Sequence, residues 1–173
     1  MSTAPLHPAN FRALMRHIPA SVSIVATGLP GRRNGLTATS ICSLSDSPPK
    51  MIACVNHLAS AHDEILENRS FSINVLSAGD EHLARMFAAD SGVRGEGRFQ
   101  TDAWKIGMIG TPVLKHALCH LECRLVETMR DSTHTVLLGE VLAGSARSGA
   151  NPLLYLSGVF RTLLSLVPEA KTA

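Results

Sequence analysis

The sequence has few aromatic residues, little charge imbalance and no long basic run. Of its 173 residues, 4% are aromatic, with one Trp and one Tyr. This scarcity argues against a base-stacking surface for single-stranded nucleic acid. The net charge is only +2, from 16 basic and 14 acidic residues, and no basic run is longer than Arg32-Arg33. Because proteins that follow a phosphate backbone carry basic patches, we expect no nucleic-acid partner.

Long apolar segments and paired cysteines are also missing. The longest uninterrupted apolar run is Met51 to Val55, whereas a membrane-spanning helix needs about 20 apolar residues. The first residues carry Arg12 and Arg16 among isolated apolar residues, which is unlike a secretory signal. The four cysteines lack Cys-x-x-Cys spacing, which is typical of reduced thiols. We therefore expect a cytoplasmic protein with neither a membrane span nor disulfides.

The length and composition predict one folded domain over residues 1–173. Hydrophobic residues make up 45% of the chain and charged residues 17%, enough apolar surface for a core. Short β-branched segments separated by Gly and Pro predict about six or seven strands, with two or three short helices. The expected strands are 21–26, 36–45, 50–56, 71–76, 133–146 and 153–160. The sequence therefore favours a mainly β fold, a β-barrel with a few short helices, over a doubly wound sheet.

Three segments have helical patterns. Apolar residues at i, i+3, i+4 and i+7 predict an amphipathic lid helix over residues 8–18. They are Phe11, Leu14, Met15 and Ile18. Ser60 and Asp63 have the spacing of a capping box at the start of a second helix, and 77–80 precedes a third. The segment 50–56 is apolar enough to be expected buried on both faces of its strand.

The segment 114–130 fits two structures. Leucines at 114, 118, 121 and 125 fit a helix, whereas alternating apolar residues over 117–125 fit a strand. On a helix, two histidines and two cysteines would lie close together and could bind zinc. They are His116, Cys119, His120 and Cys123. On a strand, the histidines and the cysteines would point to opposite faces and no metal site would form.

Three other features could bind a ligand, whereas a glycine-rich run does not fit a nucleotide-binding motif. The glycines of Gly92-Val93-Arg94-Gly95-Glu96-Gly97 are in the wrong order for a dinucleotide fingerprint, so 89–110 is expected to be a long loop. The hydroxyls of 37–40 could contact a flat polar ligand, or could belong to a solvated edge strand. Ser60 could bind a phosphate at a helix start, or be an ordinary cap. His134 could face a ligand, or be a surface residue.

The order and spacing of many motifs identify a family. The motifs include Phe11-Arg12-x-x-Met15-Arg16, Ser23-Ile24-Val25-Ala26-Thr27, Gly35-Leu36-Thr37-Ala38-Thr39-Ser40, Cys54-Val55-Asn56, Phe71-Ser72-Ile73-Asn74-Val75-Leu76, Gly139-Glu140-Val141 and Pro152-Leu153-Leu154-Tyr155. Together they resemble the short-chain NAD(P)H-dependent flavin reductases, the reductase partners of two-component flavin monooxygenases. The matched segments extend over about 11–161.

The resemblance implies an FMN-binding split barrel, usually a homodimer, in which 114–130 is mainly strand and the zinc site is absent. It also implies an enzyme that transfers hydride from NADH, or NADPH, to FMN or FAD and supplies reduced flavin to a separate monooxygenase. Two alternatives remain at this point. One is a split-barrel flavoprotein that retains FMN and acts on another substrate, and the other is a non-catalytic flavin- or haem-binding module.

The resemblance also implies site residues. Flavin contacts are expected from Thr37, Ala38, Thr39, Ser40, Ser45, Cys54, Val55 and Asn56, and phosphate contacts from Ser60 and Ala61. His134 would position the nicotinamide, and Tyr155 would line the same opening. The chain departs from the usual pattern in three places, with Ser132-Thr133-His134 for Gly-Asp-His, Thr39 where Asn is common, and Gly158-Val159-Phe160 near the end.

Overall fold

Most of the chain folds into β-strands joined by short turns. The computed structural model describes residues 4–89 and 91–163. The strands in this part of the chain are β1 (Ala20–Ser21), β2 (Ser23–Thr27), β3 (Asn34–Ala38), β4 (Ile41–Asp46), β5 (Pro49–Asn56), β6 (Ser70–Val75), β7 (Trp104–Ile106), β8 (Pro112–Leu114), β9 (Cys119–Asp131), β10 (His134–Ala146), β11 (Leu154–Leu156) and β12 (Val159–Arg161). The α-helices are α1 (Pro8–Met15), α2 (His62–Asn68) and α3 (Glu81–Met86), with 3₁₀ helices at Ala78–Asp80 and Gly95–Phe99. The prediction of a mainly β fold is confirmed.

The main sheet has seven antiparallel strands in the order β3-β2-β6-β9-β10-β5-β4. The sheet curls until β3, at one edge, contacts β5, next to the other edge. It is therefore a barrel with an open seam between β3 and β4. Smaller sheets, β1-β11-β12 and β7-β8, flank it.

Buried apolar residues form two clusters, and β2 contributes to both. Ile24 and Ala26 belong to one cluster, and Val25 belongs to the other. Successive side chains of a strand point to opposite faces, so β2 is covered on both sides. In the second cluster, a Cβ on Gly139 would lie 2.6 Å from Cζ of Phe71. Only glycine leaves room for that ring, and the register shifts at this position of β10.

The predicted strand 36–45 is broken into β3 and β4. β3 pairs with β2 at one edge of the sheet, while β4 pairs with β5 at the other edge. Thr39 and Ser40 carry the chain across the seam, which an uninterrupted strand could not do. The prediction that 50–56 is buried on both faces is wrong, because only Ala53 and Val55 of β5 are buried.

The predicted strand 153–160 forms a hairpin of two strands, β11 and β12. Its turn contains Ser157 and Gly158, both with positive φ. The expected long loop 89–110 instead contains the second 3₁₀ helix and β7. Arg98 of that helix is 4% exposed, and its guanidinium donates to the carbonyls of Gly35, Ala88 and Val93. The segment is therefore held to the barrel by buried hydrogen bonds.

The ambiguous segment 114–130 is mainly strand. β9 lies between β6 and β10, so each of its edges is hydrogen-bonded within the sheet. The helix that a zinc site would need does not form, and His116 instead bonds Asp80, with 2.9 Å between Nε2 and Oδ1. Within residues 4–89 and 91–163, no three His, Cys, Asp or Glu side chains are placed to hold a metal ion.

The start of α2 differs from the prediction. Its N-cap is Ala61, with no side-chain cap, so the predicted capping box of Ser60 and Asp63 is wrong. Competing partners explain the difference, because Ser60 Oγ lies 3.3 Å from Asn34 Oδ1 and Asp63 bonds His62. A capping box forms instead at Ser77 and Asp80, where the 3₁₀ helix leads into α3. In the described part of the chain, no helix is long and apolar enough to cross a membrane.

Candidate functional site

Three depressions meet around the segment that crosses from β3 to β4. The first, of about 600 Å³, lies between Thr37, Thr39 and the β11–β12 hairpin. The second, of about 320 Å³, lies between Thr37, Ser60 and Arg94. The third, of about 730 Å³, lies between Thr39 and α1. Because neighbouring depressions share residues, they form one groove along the seam of the barrel.

The second depression has the features of an anion site. Ser60 is exposed, and its amide has no acceptor among the described residues. Asn34 fixes the turn before α2, because its Nδ2 donates to the Ser60 carbonyl at 2.9 Å. Arg94 is exposed on the opposite wall. Ala61 is fully buried in the second core cluster, so only Ser60 of the two predicted phosphate residues opens on this depression.

Arg94 is a further candidate site residue, which was not predicted from the sequence. It lies 34 residues from Ser60 along the chain, and only the packing of the Gly95–Phe99 helix brings the two together. A positive residue within the glycine-rich run 92–97 was the available signal. Neighbouring Arg98 has a different role, since its donors are used within the fold. Burial, together with the Arg94 charge, lowers the pKa of Arg98 from its ordinary value.

Only some of the side chains of the crossing segment 37–40 face the groove. Thr37 Oγ1 donates to the Ala84 carbonyl at 2.7 Å, and Ala38 is 8% exposed within the core. Thr39 and Ser40 are exposed, so their hydroxyls can reach a ligand. All four remain predicted flavin contacts, with Thr39 and Ser40 the best placed.

β5 supplies another wall of the groove. Cys54 lines the third depression and Asn56 the second, whereas Val55 points into the core and is 0% exposed. Burial, and secondarily the Cys42 thiol, raises the pKa of Cys54. A raised pKa favours the protonated thiol at neutral pH, which argues against a nucleophilic role for Cys54.

The structure does not bring Ser45 together with the other predicted residues. Ser45 pairs with Lys50, six residues before Asn56 on β5. At about 3.3 Å per residue, this separation is about 20 Å. Ser45 lines none of the three depressions within the described chain, and its hydroxyl accepts from the Ser47 amide.

His134 and Tyr155 lie in different parts of the groove region. His134 begins β10 opposite Asn56, and its Nδ1 is 2.8 Å from Thr133 Oγ1. The imidazole is exposed beside the second depression, although it lines none of the three. Tyr155 lies where the first and third depressions meet, with its ring 5.4 Å from that of Phe160.

The expected lid helix leaves its apolar face uncovered. α1 ends at Met15 and buries no residue, and Phe11, Leu14, Met15 and Ile18 are 43 to 60% exposed. This face borders the third depression.

An ion pair anchors the segment that carries Arg94. Glu96 accepts hydrogen bonds from the Arg33 amide at 2.8 Å and from Arg33 Nε at 2.9 Å. The Arg33 side-chain hydrogen bond is the main cause that lowers the pKa of Glu96. The carboxylate therefore stabilises the fold above the pKa of Glu96 in the unfolded chain. That contribution is lost as the pH falls through the lower folded value.

Glu96→Gln is therefore expected to lower the free energy of unfolding by about 1 kcal/mol at about pH 7. The difference from the native protein should shrink as the pH falls to about 3, because the native carboxylate becomes protonated. Urea unfolding at both pH values measures it. Glu67→Gln, on the exposed surface of α2, should be close to neutral at both. A loss for Glu96→Gln that grows toward low pH would contradict the assignment.

Comparison with known proteins decides the family. Residues 15–164 match the family model described as flavin reductase like domain. The chain belongs to this family. It is 35% identical, over 92% of its length and 89% of the relative, to an FMN reductase (NADH) RutF of Pseudomonas syringae pv. syringae. It is 37% identical, over 88% of its length and 90% of the relative, to the 4-hydroxyphenylacetate 3-monooxygenase reductase component of Pseudomonas aeruginosa.

Solved structures agree with this membership. BorF, the flavin reductase component of a bacterial two-component tryptophan halogenase, superposes with a TM-score of 0.85 at 29% identity, over 92% of this chain and 99% of BorF. The NADH:FAD oxidoreductase SgcE6 of Streptomyces globisporus, in complex with NAD and FAD fragments, gives 0.83 at 31% identity, over 98% of this chain and all of that one (100%). The family resemblance, the split-barrel fold and the oxidoreductase class are confirmed.

Proposed function

We propose that this protein uses NADH to reduce free FMN, with FAD and NADPH as the alternative substrates, and releases reduced flavin to a separate flavin-dependent monooxygenase. The relatives named as NADH-dependent FMN reductase and monooxygenase reductase component support this reaction. One observation on this protein supports the proposal. The seam groove joins a positively charged depression at Ser60 and Arg94 to the exposed hydroxyls of Thr39 and Ser40.

The residues of the groove fit a flavin mononucleotide. Ser60 and Arg94 would bind the phosphate, since a guanidinium and an unpaired amide both donate to phosphate oxygens. Thr39 and Ser40 would bond the polar edge of the flavin, with Cys54 and Asn56 alongside. A strand crossing with exposed hydroxyls suits a flat polar ligand.

The substrates supply the chemistry, which is hydride transfer from C4 of the nicotinamide to N5 of the flavin. The protein contributes orientation, which gains rate by holding two reactants in one geometry. His134 would hold the nicotinamide nucleotide beside the second depression, and Tyr155 would line the groove where the first and third depressions meet. His134 is thus a positioning residue for NADH, and no proton transfer is assigned to it. With 4% aromatic residues, few rings are available to hold a flavin permanently, which suits a flavin that leaves after reduction.

We propose also that the protein is a cytoplasmic, single-domain homodimer in which a second copy covers α1. The apolar face of α1 and the third depression next to it support this arrangement, because apolar patches of this kind mark interaction surfaces. A second copy would also close the groove beside Thr39 and Cys54.

Leu14→Glu tests the dimer, because a carboxylate in an apolar interface opposes association. Leu14 is 60% exposed, so the chain should still fold. Sedimentation should show a dimer for the native protein and a shift to monomer for Leu14→Glu. Leu29→Glu is the matched control, at 61% exposure on a turn away from α1. A native monomer, or the same shift for both variants, would contradict the proposal.

A single assay tests the reaction. NADH and NADPH oxidation is measured with riboflavin, FMN and FAD added in turn. The expected protein is colourless after gel filtration and oxidises NADH only when flavin is added. Retained yellow colour, with no stimulation by added flavin, would favour a flavoprotein that keeps FMN. No oxidation with any flavin would favour a non-catalytic module.

A further inference from the structure

A buried hydrogen-bond chain connects the start of α2 to the start of β10. His62, the first residue of α2, is 4% exposed, and Thr135 is 2% exposed. His62 Nε2 lies 2.8 Å from Thr135 Oγ1, and Nδ1 lies 2.6 Å from Asp63 Oδ1. A carboxylate only accepts, so Nδ1 donates to Asp63 and holds the ring in place. The Thr135 hydroxyl is thereby bonded to a fixed imidazole.

Each end of this hydrogen-bond chain adjoins a residue of the proposed site. His62 follows the Asn56–Ala61 turn that contains Ser60, and Thr135 directly follows His134. A second link runs beside the first, because the His57 amide donates to the Thr133 carbonyl at 3.0 Å. The His57 and His62 rings are also in contact, with 5.1 Å between their centroids. The Asn56–Ala61 turn and the start of β10 are therefore joined as one unit.

We infer that the His62–Thr135 hydrogen bond transmits flavin phosphate binding to the nicotinamide site. This inference rests on the proposed function. A phosphate bound at Ser60 would further restrict the 56–61 turn, which Asn34 already holds at one point, and through His62 it would also restrict the start of β10, which carries His134. Ordering by one ligand lowers the cost of binding the next. FMN would then increase the affinity for NADH, and NADH would increase the affinity for FMN by the same factor.

Riboflavin separates this coupling from other effects, because it has the ring of FMN without the phosphate. With each flavin at saturation, the KM for NADH should be about fivefold higher with riboflavin than with FMN in the native protein. Thr135→Val keeps the shape of the side chain and removes the hydroxyl, so this ratio should fall to about one. Thr135→Ser keeps the hydroxyl and should restore the native ratio.

Thr111→Val is the matched control. Thr111 is 1% exposed, and its hydroxyl lies 3.0 Å from a carboxylate oxygen of Glu122, away from the groove. The same substitution therefore removes an equally buried hydrogen bond and should leave the ratio at its native value. A second variant is Asp63→Ala, at a side chain that is 89% exposed. It frees the His62 ring and should lower the ratio by at least half.

Three results would overturn the inference: a native ratio near one, an unchanged ratio in both Thr135→Val and Asp63→Ala, or an equal loss in Thr111→Val. A native protein that oxidises no NADH with any flavin would instead contradict the proposed function. The two failures are therefore distinguishable.

Discussion

Replacing His134 with alanine should raise the KM for NADH about tenfold while kcat changes less than about twofold. The imidazole is exposed at the first residue of β10, and its Nδ1 bonds the neighbouring Thr133 hydroxyl. Its loss should therefore leave the fold intact. If a contact stabilises the bound substrate and the transition state equally, its removal raises KM and leaves kcat unchanged. Steady-state rates at varied NADH, with saturating FMN, measure this effect.

His120→Ala is the control for that substitution. His120 is a half-buried histidine on β9 whose Nδ1 lies 3.2 Å from Ser145 Oγ, and it borders a separate depression. Its replacement should leave the KM for NADH unchanged. A His134→Ala variant with native NADH kinetics, or with only the KM for FMN raised, would show that His134 does not hold the nicotinamide nucleotide.

Replacing Arg94 with alanine should raise the KM for FMN about tenfold and leave the KM for riboflavin unchanged. A charge-assisted hydrogen bond to phosphate is worth about 1.5 to 3 kcal/mol, and about 1.4 kcal/mol is tenfold in affinity. Because Arg94 is exposed, its contribution to FMN binding should lie at the lower end of this energy range. Added salt should reduce that contribution further. Rates at varied FMN and varied riboflavin, at low and high ionic strength, measure both expectations.

Arg32→Ala is the control, because Arg32 is an exposed arginine that lines a different depression. It removes the same charge from the molecule and should leave the KM for FMN close to native. An equal rise for FMN and riboflavin in Arg94→Ala would mean that Arg94 shapes the groove and does not bind the phosphate.

Some strands can be predicted because their own sequence has a clear strand pattern. β2, β6 and β10 follow from alternating, β-branched sequence, because the period of two needs no knowledge of neighbours. The break at Thr39 and Ser40 could not be predicted in this way, because it depends on which edge of the sheet each half joins. Segment 114–130 fits both periods, and its strand structure follows from pairing with β6 and β10.

The candidate site also has residues that the sequence could place and residues that only the folded chain brings together. Ser60, Asn56 and His134 could be placed near one another from the family resemblance, but the loop with Arg94 could not, because its approach to Ser60 is tertiary. The predicted cap at Ser60 failed because Asn34, distant in sequence, occupies its hydroxyl. Nor could the sequence show that Ala61 points inward, since alanine is common both inside and outside a protein core.

Flavin is proposed to act as a substrate that enters and leaves the seam groove. Anaerobic mixing of a small amount of protein with NADH and a large excess of FMN tests it most directly. We expect loss of the visible flavin absorbance to continue until FMN or NADH is exhausted, far beyond the amount of protein present. Bleaching that stops at one flavin per chain, or no bleaching, would contradict the account.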